Sequence, residues 1–92
     1  MHFSWSQGAL DGLPQGVEPH EVMRALVDSR HVRRWLDFSD YTLLSIGCRT
    51  PVDAHLVVLT DEDEDDGWLI GGVRRMYQPE IDVYESFGGT DE

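Results

Sequence analysis

Arg49, His55, Arg74 and Arg75 carry side chains suited to one kind of chemistry. A guanidinium fork binds two phosphate oxygens at once and stabilises charge developing there during transfer, while an imidazole titrates near neutrality. Brought together, they would make a phosphate site. The plainer alternative is that the arginines form ion pairs with the acidic run 61–66 or with Glu80, at little energetic consequence. A second basic group, Arg30-His31-Val32-Arg33-Arg34-Trp35, mixes cations with an aromatic ring, as single-stranded RNA contacts often do. The same composition also describes an ordinary amphipathic surface element.

Other chemistries fit less well. His20-Glu21-Val22-Met23-Arg24 begins like a zinc-protease helix, but Arg24 stands where the second histidine ligand must be. His2, His31, His55 and Cys48 have no ligand spacing, so no metal site is expected. A calcium loop with Gly67 at its turn would need a bidentate glutamate where Val73 stands. The acidic run therefore reads as a solvated hairpin tip or as a docking surface for a basic partner. Ser45 and Cys48 lack a glycine elbow, which argues against covalent catalysis. No cofactor is implied.

The elements that would position these residues can be read from pattern. His2-Phe3-Ser4-Trp5 alternates like a short strand, and Gly8, Gly12, Pro14 and Gly16 punctuate a connection. Pro19 and Glu21 suit the first turn of a helix, whose apolar stripe would be Val22, Met23, Leu26 and Val27. Asp28-Ser29 ends this helix or caps a short second one. Residues 30–38 fit either a helical face or an extended segment. Three β-rich segments follow, starting at Tyr41, Ala54 and Trp68, with Gly71-Gly72 in the last suggesting a bulge or a close approach to the backbone. Pro79 opens a short C-terminal helix through Tyr84, and residues 88–92 are expected to fray. The fold class is α+β: a small antiparallel sheet, made of the N-terminal strand and a three-strand meander, packed with one or two N-terminal helices and a short C-terminal one. In such a meander Arg49, His55 and Arg74/Arg75 gather at one end, on strands ~4.8 Å apart.

Composition bounds the partners. The chain has 92 residues, enough for a single domain with one modest core. Seven basic residues, all arginine, face eighteen acidic ones, for a formal net charge of −11. That field repels nucleic acid at long range and favours basic partners. One cysteine excludes an internal disulfide and fits a reducing cytosol. No membrane span or signal peptide is evident, so a cytoplasmic location is expected.

Several segments taken in order resemble the BrnT family of bacterial type II toxins, which share the RelE-like ribonuclease fold. They are Phe3-Ser4-Trp5, Gly16-Val17-Glu18-Pro19-His20-Glu21-Val22, Ile46-Gly47-Cys48-Arg49-Thr50 and Leu56-Val57-Val58-Leu59-Thr60. The most specific is Ile70-Gly71-Gly72-Val73-Arg74-Arg75-Met76, with Glu80 and Tyr84 behind it. The resemblance implies a metal-independent endoribonuclease that cuts RNA through attack of a ribose 2′-hydroxyl. It also implies a ribbon-helix-helix antitoxin that neutralises the toxin, with DNA reached only through that partner. Carried over by position, Arg49 and Arg74 would bind phosphate or stabilise the transition state, and Arg75 would be a neighbouring contact. His20 or His55 is a candidate general base, neither placed by the family pattern, with His55 the one that joins the arginines at the sheet end, and Arg33 and Arg34 are candidate RNA contacts. The sequence departs from the family at Leu13-Pro14-Gln15 and Asp53, where basic residues are usual, and at Gly72-Val73. A catalytically inactive relative that pairs with a basic or DNA-binding protein is therefore the alternative expectation.

Overall fold

The computed structural model describes residues 2–28, 31–62 and 67–90. Its order is β1 (Phe3–Trp5), a 3-10 turn (Leu10–Gly12), α1 (Pro19–Asp28), β2 (Val32–Asp37), β3 (Thr42–Arg49), β4 (His55–Glu62), β5 (Trp68–Arg75) and α2 (Gln78–Thr90). The strands form one five-stranded sheet in the order β1-β5-β4-β3-β2. The α+β class is as expected from the sequence, with two refinements. The ambiguous segment 30–38 is a strand over Val32–Asp37, which extends the meander by one member; Ser29 and Arg30 lie outside the described residues. The N-terminal strand pairs with β5 in parallel, so the sheet is mixed.

Helix α1 starts as its sequence dictates. Pro19 occupies the first helical position, where its missing N–H costs nothing, and Glu21 accepts the otherwise unpaired Glu18 N–H at 3.0 Å. Val22, Ala25 and Leu26 pack down onto the sheet. Val27, expected in the same stripe, is 73% exposed. Five residues beyond Val22 at 3.6 per turn, it has rotated to the far side.

One face of the sheet, under α1, makes the core. Leu44, Ile46 and Cys48 of β3, Leu56 and Val58 of β4, and Ile70 and Val73 of β5 are buried there, joined by Phe3 and Trp5 of β1. Thr60 is fully buried among them because its hydroxyl donates to the Leu44 carbonyl at 2.9 Å. Burial pushes the Cys48 thiol up to about 12, so this sulfur stays protonated and inert at neutral pH.

The alternation of β5 is broken once. Leu59 opposes Gly72 but Thr60 opposes Ile70, which leaves Gly71 as an extra residue, a β-bulge. As a result Ile70 and Val73, three apart, both face the core. The glycine pair read from sequence thus marks the bulge itself.

Helix α2 crosses the opposite face. It continues beyond Tyr84 to Thr90, so the tail expected to fray from Gly88 is helical as far as that residue; 91–92 lie outside the described set. Of the acidic run, Asp61 and Glu62 extend β4 and are exposed, while 63–66 are also outside it. Among the described residues no helix is long and apolar enough to cross a membrane.

Ile46→Ala should lower the unfolding free energy by ~2–5 kcal/mol, combining lost transfer energy with an unfilled cavity under α1. Urea titration would register this as a lower midpoint at unchanged slope.

Candidate functional site

Strand pairing decides which side chains meet. Arg49, the last residue of β3, lies directly opposite His55, the first of β4. Arg74 lies opposite Val57, two residues along from His55 and on the same face. Arg49, His55 and Arg74 therefore share the face covered by α2, at one end of the sheet. Arg75 opposes Leu56 and sits on the α1 face, where its guanidinium donates to the Gln15 carbonyl at 2.9 Å. That bond ties the end of β5 to the turn at Gly16, whose φ of 85° suits glycine. The arginine pair is thus divided between the two faces.

Helix α2 brings carboxylates onto the shared face. Glu85 Oε2 lies 2.7 Å from His55 Nε2 and 3.5 Å from Arg49 Nη1. Asp53, in the turn between β3 and β4, lies 3.6 Å from Arg49 Nε. The His55 ring is mostly covered and meets Tyr84 edge-on, at 5.7 Å between centroids. Tyr84 is the buried anchor of the helix, and Glu85 follows it directly. Glu85 was not singled out from sequence. The available signal was that an acidic residue adjoining the buried aromatic of a returning helix must come down near the strand ends.

Arg74 is held differently. Its Nη1 and Nη2 donate to the two oxygens of Glu80 at 2.8 and 2.7 Å, and its guanidinium lies 4.8 Å from the Tyr77 ring centroid. Glu80 also accepts the Tyr77 N–H at 2.8 Å, so one carboxylate caps α2 and clamps β5. The Arg74 hydrogen bonds, then the Tyr77 amide, hold Glu80 at about 2, and Glu80 in turn raises Arg74. The ion pairing with Glu80 weighed from sequence is present for Arg74.

The β2 arginines stand apart from this group. Arg34 pairs with Ser45 and faces α2, whereas Arg33 pairs with Ile46 on the other side of the strand; both are exposed. Between β2 and α2 runs a cleft of about 470 Å³, floored by Val32, Gly47 and Val57, walled by Val83 and Tyr84, with Arg34 at its rim. His31, from the same basic segment, is a weaker base than an ordinary imidazole. Burial, then the nearby Arg33 charge, lowers its imidazole, and Nε2 is buried without a hydrogen-bond partner. Arg30 lies outside the described residues. Among the described residues no three His, Cys, Asp or Glu side chains converge as metal ligands.

Chemically, a histidine paired with a carboxylate and one guanidinium, with a second guanidinium on the same sheet face, can move a proton and hold an anion. An incoming phosphate would have to compete with Glu80 and Glu85 for those guanidiniums.

The Glu80 clamp has a defined pH signature. Its folded-state value of about 2 lies below the ordinary 4.5, so its contribution is complete above about 4.5 and fades as pH falls towards 2. Glu80→Gln should cost about 1 kcal/mol at neutral pH, a modest figure because both partners are more than a third exposed. Thermal unfolding of the two proteins from pH 7 to 2 should show that gap closing with acid. Comparison of the chain with family models, with curated proteins and with solved structures finds no match, so its functional reading rests on these residues and their geometry.

Proposed function

We propose that this domain is the toxin component of a bacterial type II toxin–antitoxin system and cleaves RNA without a metal ion. The observation that carries the proposal is the convergence of Arg49, His55 and Arg74 on one face, with Glu85 against the imidazole. In this reading His55, oriented by Glu85, takes the proton from a ribose 2′-hydroxyl. The 2′-oxygen then attacks the adjacent phosphorus, and the P–O5′ bond breaks to leave a 2′,3′-cyclic phosphate and a 5′-hydroxyl, whose oxygen takes its proton from water. Arg49 and Arg74 bind the phosphate oxygens and stabilise the added charge of the five-coordinate transition state. Arg34, exposed on that same face, holds a flanking nucleotide, whereas Arg33 and Arg75 lie on the opposite face of the sheet and take no part. A ribbon-helix-helix antitoxin is the protein partner, and the setting is the cytoplasm.

The second reading is a binding module that kept the fold without the activity. It is favoured by the carboxylates themselves: Glu80 closes both arms of Arg74, and Glu85 and Asp53 flank Arg49, in a chain of net charge −11. Its partner would be the same antitoxin or another basic protein.

Induced expression and an RNA-cleavage assay separate the two. The ribonuclease reading expects wild type to arrest growth and cut RNA. It expects Arg49→Ala and Arg74→Ala to lose ~10²–10³-fold in cleavage rate while still binding the antitoxin. Wild type that neither slows growth nor cleaves RNA at low salt, yet binds a ribbon-helix-helix protein, would leave the binding module.

A further inference from the structure

Among the described residues strand β2 is the outer strand of the sheet, with β3 on one side, and its outer side has a specific chemistry. The Phe38 N–H donates to the Tyr41 carbonyl at 2.8 Å, so that pair is of the hydrogen-bonded kind. Alternation makes Leu36–Leu43, Arg34–Ser45 and Val32–Gly47 hydrogen-bonded as well. The backbone N–H and C=O groups of Arg33, Trp35 and Asp37 therefore point away from β3, towards the open edge.

We propose that two copies of this chain dimerise by antiparallel pairing of β2 with β2 about a two-fold axis at Trp35, making one continuous sheet. The proposal stands apart from the ribonuclease reading. Residues with outward backbone groups must face one another across such a junction, which confines the register to steps of two. With Trp35 opposite Trp35 of the second copy, Arg33 falls opposite Asp37, an ion pair repeated by symmetry. On the other face Arg34 falls opposite Leu36, and Phe38 opposite Val32. Every charged–charged pair in this register is of opposite sign. Sliding one step towards the N-terminus would set Arg34 against Arg34. Sliding one step the other way would leave Arg33 without Asp37 and set Trp35 against Asp37.

Side-chain exposure agrees with that occupant. Trp35 is 59% exposed, and Phe38 and Tyr41, whose rings stack at 4.7 Å, are 48% and 53% exposed. Natural sheets guard free edges with charge, and here the guard is selective: Arg33 and Arg34 repel a basic strand, whereas Asp37 completes the pattern only for this strand's own copy. In a chain of net charge −11, the arginine-bearing edge is also where two copies meet with least repulsion. The two-fold keeps the α2 faces on one side, so the clefts beside Arg34 of each copy become neighbours.

Sedimentation equilibrium of the full chain in about 150 mM salt tests this, with circular dichroism to establish folding. Wild type should show a monomer–dimer equilibrium. Arg33→Asp and Asp37→Arg should each raise the dissociation constant at least about tenfold, and the double variant R33D/D37R should recover most of that loss. Hydrogen exchange provides a check that needs no substitution: the Trp35 amide should become more protected as protein concentration rises. A wild type that stays monomeric throughout would overturn the proposal. So would single variants that dimerise like wild type, or a folded double variant that stays monomeric.

Discussion

The extra residue at Gly71 sets the phase of everything after it. Without the bulge, β5 would alternate unbroken from Ile70, and Arg74 would point under α1 while Val73 faced the other side. With it, Val73 completes the core and Arg74 emerges beneath α2. Glycine makes this inexpensive, since no side chain has to be accommodated at the unpaired position. The Arg74 fork can then take Glu80, and Glu80, already the cap of α2, fixes where that helix begins. The helix direction in turn determines that Tyr84 is buried against His55 and that Glu85 reaches the imidazole.

The two faces of the sheet consequently have different duties. The α1 face is a closed apolar layer, and the buried polar side chains among the described residues, Thr50 and Thr60, both make hydrogen bonds. The α2 face is covered incompletely. Tyr84 is the buried contact of its helix, Val83 remains half exposed, and a cleft stays open towards β2. Charged groups concentrate on this looser face because partial solvation removes most of the cost of burying them. The same looseness leaves the guanidiniums accessible, while Glu80 and Glu85 set a threshold that any competing anion must exceed.

Much of the architecture was legible because apolar runs bounded by turn residues leave few options. The strands beginning near Tyr41, Ala54 and Trp68 read as β because they are rich in Val, Ile, Leu and Thr between Pro51-Val52-Asp53 and Gly67. Segment 32–37 was ambiguous for a physical reason. An edge strand buries little, so Val32, Arg33, Arg34, Trp35 and Leu36 need no strict alternation, and their order fits a helical face equally well. Parallel pairing of β1 with β5 was equally hidden, since it joins residues at opposite ends of the chain, Phe3 with Trp68.

By itself, then, the sequence determined the α+β class, the helix start at Pro19-His20-Glu21 and the gathering of Arg49, His55 and the Arg74-Arg75 pair at one sheet end, and it narrowed the paired glycines to a bulge or a close approach to the backbone. These follow from local preferences, from period-two alternation and from the geometry of consecutive hairpins. Only the tertiary structure decided that Arg74 and Arg75 part company, that His31 is half-buried with its Nε2 covered, and that Glu80 and Glu85 stand among the cations. Each of those depends on which face a residue meets and on what another element carries to it. A contact between distant segments leaves no periodic trace in either of them.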